Sequence, residues 1–567
     1  MAQFYKIVRK NLISMAVLDH NGALRQGGAH GSGWMQETLE RNDCDVLVVG
    51  GGINGAGIAR DAAGRGLRVV LCEKDDLAAH TSSASSKLIH GGLRYLEHRE
   101  FGLVRKALIE REVLLRSAPH IMWPLRFVMP HDAGQRPALL IRAGLFLYDR
   151  LARREFLPAS RAVDLHAHPA GTALKQAFVR GFEYSDGWVD DARLVVLAAR
   201  DAHERGARVL TRTTCSDLQR HALHWSATLT GADGRQQRLS ARCVVNATGP
   251  WADTFLQGAT GAPPHHSLRL IKGSHIVVKR LFDHPYAYIF QHPDGRIVFA
   301  MPYEREFTLI GTTDLDYHGD LDQVAINDAE VAYLCELANR YFRQPIGPAD
   351  VVWSYSGVRP LLEDAAASAQ AATRDFRLAH DTSGAPLLTV FGGKITTFRK
   401  LAEEAVDWIA PQLGNRHGSW TAGACLPGGD LFGERPSNRG VLEFDQWVAG
   451  MQRRYSWLSP ALVRRYARAY GTRITTLLDG CKTLSNLGPE IVPGLYPAEA
   501  DYLMTREWAT CAADMLWRRS KLGLHLPPGS AEKLDAWIGA RLADGPGQPA
   551  QSARGPGDNP EAQLQRI

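Results

Sequence analysis

Three glycines near the start of the chain, Gly50, Gly52 and Gly55, are spaced as G-x-G-x-x-G, and Glu73 follows about twenty residues later. Gly50 permits a tight turn, Gly52 lets a pyrophosphate reach the backbone, and Gly55 lets a helix pack close to a strand. The helix N-terminus then faces the phosphates. A carboxylate at Glu73 can accept hydrogen bonds from an adenosine ribose and disfavours a 2′-phosphate, so the spacing predicts a bound dinucleotide other than NADP. That unit by itself leaves FAD and NAD open.

Three later segments add to the cradle. Thr81-Ser-Ser-Ala-Ser-Ser-Lys-Leu-Ile-His-Gly-Gly-Leu-Arg-Tyr95 offers small hydroxyls, among them Thr81, Ser82 and Ser86, and then the paired Gly91 and Gly92. Asn246-Ala-Thr-Gly249 and Phe391-Gly392-Gly393-Lys394 each end an apolar run with a glycine turn. No second G-x-G-x-x-G occurs in a strand–helix setting, so no separate nicotinamide domain is expected. Glycine turns at several places suit one long ligand held along its length, which favours FAD.

The elements that position these residues are readable from periodicity. Cys44 to Gly50 is a short apolar run ending in glycines, the pattern of a buried parallel strand. Ile53 to Gly64 has helical spacing and Leu67 to Cys72 reads as a second strand, completing a βαβ unit. Asp191 to Glu204 reads as a helix with Asp190 and Asp191 as N-terminal caps. Arg208-Val-Leu-Thr and Cys243-Val-Val-Asn read as strands. From Leu268 to Asp314 the period shifts to two, predicting an antiparallel, substrate-facing sheet. Pro427-Gly-Gly-Asp430 reads as a linker, with Ser459–Tyr470 and Ala498–Lys521 as helices beyond it. The expected division is a disordered extension over 1–42, a cofactor domain over 43–424 with a substrate domain inserted at about 261–355, a helical domain over 425–541 and a disordered tail over 542–567. An alternative reading of the first segment is a start at Met35.

Composition narrows the class. The 567 residues are 45% hydrophobic and 22% charged, an ordinary globular balance, with a formal net charge of +6. A mild basic excess suits an anionic substrate or membrane surface, and the absence of a basic stripe interleaved with aromatics argues against nucleic acid. The 8 cysteines include no C-x-x-C pair, so a reduced chain without a disulfide framework or metal site is expected. No apolar run approaches the ~20 residues that span a bilayer, and no secretory signal is evident. The segment LLIRAGLFLYDRLAR, Leu139 to Arg153, mixes leucines and Phe146 with arginines and could lie in a headgroup region.

Longer motifs carry a family resemblance. GGGINGAGIARDAAGRG, TSSASSKLIHGGLRYLEH, RGFEYSDGWVDDARL, VNATGPWAD, RLIKGSHIVV, IGTTDLDY, SYSGVRPL and FGGKITTFRKLAEEA together resemble the bacterial aerobic FAD-dependent glycerol-3-phosphate dehydrogenases, from about Asp43 to Trp537. The resemblance implies an α/β, overall α+β, architecture. Its parts are a Rossmann-like FAD domain of the glutathione-reductase type, an antiparallel-sheet substrate domain and a helical C-terminal domain. It also implies non-covalent FAD, oxidation of sn-glycerol 3-phosphate by hydride transfer from C2 to flavin N5, ubiquinone as acceptor, and a homodimer attached peripherally to the cytoplasmic side of the inner membrane. The family pattern puts substrate-site residues at Arg94, Tyr95, Arg359, Arg374 and Lys394. Guanidinium forks match phosphate oxygens, and a cation near the C2 oxygen stabilises developing negative charge. Arg359 is expected near the reacting carbon and Arg374 on the phosphate. His275 in KGSH is the candidate proton acceptor, and His90 a residue lining the flavin. Rival readings are a glycerophosphate oxidase, an amino-acid or sarcosine-type oxidase, and a non-catalytic flavin scaffold.

Overall fold

The computed structural model describes residues 43–97, 99–132, 135–260, 268–291, 296–362 and 375–543. The expectations for 1–42, for the tail from 544, and for Arg374 lie outside them.

An eight-stranded sheet carries the cofactor cradle. Its centre is the fully buried strand Cys44–Val49, paired in parallel with Val69–Cys72 on one side and Gln236–Asn246 on the other. Arg208–Leu210 and Leu387–Gly392 extend it in parallel, and Phe376–Asp381 closes one edge antiparallel. Continuous Val/Leu runs fit strands covered on both faces. The helices Ile53–Gly64, Asp191–Glu204 and Phe398–Gln412 bury Ala59, Val195 and Leu401 in the same apolar cluster as Val46 and Val48.

The second sheet has ten strands, mostly antiparallel. It is not confined to the stretch expected for an inserted domain. Met122–His131 and Arg180–Val189 pair along their whole length, and Met122–His131 joins Ala287–Gln291 in parallel. The sheet is therefore assembled from residues 88–189 together with 268–362, because the pairings that build it link distant parts of the chain. The long strands Leu268–Lys279 and Val351–Leu362 run antiparallel, opposing Ile271 to Arg359 and His275 to Tyr355.

The C-terminal region is helical, with its own core around Val463, Tyr466, Leu503 and Leu534. One expected helix there is broken. Pro497–Glu507 stops at Trp508, which takes a left-handed φ of 57°, and a wide turn over Asp514–Arg519 follows. The Asp514 carboxylate, in the first turn of the new segment, reaches back to accept the backbone N–H groups of Thr510 and Cys511 and ties down that start. The expected linker is likewise a packed crossover. Gly428 and Gly429 are buried, and a Cβ on them would meet the carbonyl oxygens of Tyr470 at 2.3 Å and Ser117 at 2.1 Å. Among the described residues no helix is long and apolar enough to cross a membrane.

Candidate active site

The glycine cradle is built by close approach. A Cβ on Gly55 would stand 1.9 Å from the Gly50 carbonyl oxygen, and Gly50 itself has φ 110° with Ala247 O only 2.4 Å from any added Cβ. Glu73 is buried at the end of the second strand, where it accepts Gly51 N–H at 2.6 Å and Asp75 N–H at 2.9 Å. Burial holds its carboxyl above the usual range, opposed by those two donors. Ile53 N–H, at the start of the cradle helix, donates to Ser82 Oγ at 3.0 Å.

These residues open into a cavity of about 470 Å³. Of the residues singled out from sequence, its walls include Gly50, Gly52, Glu73, Thr81, Ser82, Ser86, Tyr95, Gly249, His275, Arg359, Gly392, Gly393 and Lys394, and also His90. Gly55, Gly91 and Gly92 sit behind the wall, with packing roles: the Gly91 N–H donates to the Tyr148 hydroxyl at 2.8 Å. Arg94, half-buried on a short helical turn, does not line the cavity.

Arg359 is held as a fork. Its guanidinium pairs with Asp314 and donates to Thr312 Oγ1 and the Thr313 carbonyl, each at 3.1 Å. Lys394 Nζ lies 3.6 Å from the centroid of the Tyr95 ring, a cation–π contact. His275 is 1% exposed, with Nε2 2.9 Å from Ser86 Oγ and its ring stacked 4.7 Å from Tyr355. Burial first, and then the positive charges of Arg359 and Lys87, push its pKa well below the usual value, so the imidazole is neutral at neutral pH.

Several supporting contacts go beyond the roles read from the sequence. Asp190 caps its helix as expected, accepting Arg193 N–H at 3.2 Å. Asp191 does something else: its carboxylate accepts Lys87 Nζ at 2.7 Å and Ser85 Oγ at 2.7 Å, pinning the Ser-rich loop against the cofactor domain. Thr81 Oγ1 ties the same loop to the strand of Arg359 through Val358 O at 2.7 Å. Asn54 Nδ2 joins the cradle helix to Gly392 O at 3.2 Å.

The family model described as FAD dependent oxidoreductase matches residues 45–399, more than half the chain. The chain belongs to the FAD-dependent oxidoreductase family. A relative from Pseudomonas aeruginosa named glycerol-3-phosphate dehydrogenase is 52% identical over 87% of this chain and 94% of its own length. One from Brucella abortus named D-erythritol 1-phosphate dehydrogenase is 47% identical, covering 88% and 98%. The solved structure of a glycerol-3-phosphate dehydrogenase from Bacillus halodurans complexed with FAD matches with a TM-score of 0.71 at 26% identity, covering 90% of this chain and 92% of that one. The resemblance stated from the motifs is borne out, as are the fold class and the FAD cofactor.

This FAD-dependent oxidoreductase fits its cofactor. The space that a Cβ would fill at Gly50 and Gly55 is taken by neighbouring backbone, which brings the cradle helix against the strand as pyrophosphate binding requires. Gly52 and Glu73 would hold the pyrophosphate and ribose, and the Thr81–Ser86 loop and the Gly392–Gly393 turn would hold the remainder.

Proposed function

We propose that the enzyme oxidises C2 of sn-glycerol 3-phosphate to give dihydroxyacetone phosphate and passes the electrons to a membrane quinone. The observation that carries this reading is the convergence of Arg359, Lys394 and His275 on the same cavity as the glycine cradle. Relatives named for glycerol 3-phosphate and for D-erythritol 1-phosphate both act, by name, on polyol monophosphates. Bound FAD supplies the hydride acceptor.

The chain's own groups divide the remaining work. Asp314, Thr312 and Thr313 fix Arg359 so that its guanidinium meets the C2 oxygen and stabilises the charge that develops there. Lys394 and Arg374 hold the phosphate, with the Tyr95 ring holding the lysine by its cation–π contact. The neutral imidazole of His275, oriented by Ser86, accepts the hydroxyl proton.

Attachment to the cytoplasmic face of the membrane as a peripheral homodimer belongs to the same reading. Its support is the helix Ala138–Arg150, which exposes Leu139 at 79%, Leu140 at 58% and Phe146 at 57% and rests Arg150 over the Phe146 ring.

The test is anaerobic titration of the yellow protein with sn-glycerol 3-phosphate, D-erythritol 1-phosphate and glycerol, followed by ubiquinone-1 or air. Bleaching by the first ester alone, reversed by the quinone, is the expected result. Preferential bleaching by the four-carbon ester moves the substrate assignment. Recovery that is fast in air and slow with quinone makes the enzyme an oxidase.

A further inference from the structure

Behind Arg359 lies a buried carboxylate that the chemistry above does not use. Glu330 is 3% exposed and stands in the first turn of the helix Asp328–Tyr341. That helix buries Leu334, Ala338 and Tyr341 in one apolar cluster with Ile276 and Ile310 of the second sheet. Its start is a capping box: Asn327 Oδ1 accepts Glu330 N–H at 2.9 Å and Glu330 Oε2 accepts Asn327 N–H at 3.1 Å.

The carboxylate does more than cap. Oε1 accepts the hydroxyls of Ser274 and Thr313, each at 2.8 Å, and Oε2 pairs with Lys272 Nζ at 2.8 Å. Burial acts to raise the Glu330 pKa, but Lys272 and the hydroxyls outweigh it and hold the carboxyl below the usual range. At neutral pH it is ionised and can only accept. That fixes the direction of the bonds around it. Each hydroxyl has one proton, and both protons point at Glu330. Ser274 Oγ then accepts from Ser356 Oγ at 2.8 Å, and Thr313 Oγ1 accepts Ser274 N–H at 2.9 Å.

Thr313 is the link to the chemistry. Its hydroxyl donates to Glu330, and its carbonyl accepts Arg359 Nη2 at 3.1 Å. Ser274 adjoins His275, and Ser356 shares the strand of Arg359. One carboxylate thus ties a helix to the strand of His275, to the strand of Arg359 and to the segment that grips the guanidinium. Glu330 itself does not line the substrate cavity.

We infer that Glu330 is a positioning residue for the oxidation, acting through Thr313 to hold the Arg359 guanidinium at the C2 oxygen. This rests on the reading that puts Arg359 there. Glu330→Gln keeps the volume but offers one acceptor oxygen and an N–H donor group. In one orientation the amide N–H groups face Lys272 and Asn327 N–H, and in the other they face the hydroxyl pair. Either way the hold on Thr313 changes.

The experiment uses the FAD-loaded full chain and follows anaerobic flavin reduction by sn-glycerol 3-phosphate in a rapid-mixing instrument. Glu330→Gln should slow reduction by about tenfold and leave the Kd of the ester unchanged, because the phosphate contacts lie elsewhere. Thr313→Val, which cuts the line at one hydroxyl and spares the charge pair, should slow it similarly. Glu330→Gln combined with Lys272→Met removes both charges, so thermal stability should recover while reduction stays slow. Arg359→Lys keeps a cation and loses the fork, and adding Glu330→Gln to it should cost little more. A Glu330→Gln protein that reduces at the parent rate overturns the inference. So does a rate that recovers with stability in the Lys272→Met combination, or an undiminished effect of Glu330→Gln in the Arg359→Lys background. An Arg359→Lys protein that reduces at the parent rate overturns the placing of Arg359, and the inference with it.

Discussion

Gly273 and Arg359 face each other across two neighbouring strands so closely that a Cβ on Gly273 would stand 1.8 Å from Arg359 Nη2. The register sets this up, since Arg359 opposes Ile271 and its side chain passes over the bare backbone two residues on. Gly273→Ala should therefore displace the guanidinium without touching the FAD cradle. The expected result is a fall of about 100-fold in kcat/KM with full flavin content, a size typical of misplacing a catalytic group by about 1 Å. Steady-state kinetics beside the flavin absorbance ratio make the test, and a variant with unchanged kcat/KM removes Arg359 from the chemistry.

A second prediction concerns His120, which is fully buried, has no hydrogen-bond partner on either ring nitrogen among the described residues, and is surrounded by the charges of Arg193 and Arg468. Burial first, then those charges, push its pKa well below 6.5. Above pH 6.5 neither the folded nor the unfolded form binds the proton. Below it the unfolded chain does and the folded chain does not, so stability falls as pH drops from 6.5 toward the folded value. His120→Leu should remove that contribution, flattening the acid side of the stability curve by up to about 1.4 kcal/mol per pH unit. Urea unfolding between pH 5 and 7.5 reads it, and an unaltered slope means that His120 protonates freely.

The turn that carries His90 and Tyr95 rests on a buried network. The Tyr148 hydroxyl donates to Asp186 Oδ1 at 2.7 Å and accepts from Gly91 N–H, while Arg111 donates to the same Asp186 oxygen at 2.7 Å. Tyr148→Phe leaves the Gly91 N–H and one site on Asp186 underused. A loss of about 1–2 kcal/mol in stability is expected, together with a raised KM for the phosphate ester, because the Tyr95–Lys394 contact sits on this turn. A variant that loses stability with unchanged KM confines the network to folding.

The exposed leucines and Phe146 of Ala138–Arg150 offer a separate test. Leu139→Ser combined with Phe146→Ser should lower partition onto anionic vesicles by about two orders of magnitude, while activity toward a soluble acceptor persists. Flotation of the protein with vesicles measures it. Equal flotation of parent and variant assigns these side chains another partner.

How far the molecule could be read in advance follows from the reach of each interaction. The Gly50–Glu73 unit was legible because the residues that mark it lie within one βαβ segment. The helix Asp191–Glu204 was legible from its own periodicity. The second sheet was not, because Met122–His131 meets Arg180–Val189 and Ala287–Gln291 through pairings that leave no local mark. Asp191 looked like a cap because its sequence context is that of one, and only the fold brings Lys87 to it. Gly273 shows the same limit: a glycine in KGSH carries no hint that Arg359, from a strand 359 − 273 = 86 residues later, crosses it.

Asp76 stands just past the second strand of the cradle, 2% exposed, and its two oxygens are taken by Arg518 and Arg519. Those partners arrive 442 and 443 positions later in the chain. During synthesis the cradle therefore emerges with a carboxylate that has nothing to balance it if it is buried. The charge beside the cradle is balanced only once Arg518 and Arg519 have been made and folded back, so the C-terminal helices act as a closing seal on a cofactor domain begun more than 400 residues earlier.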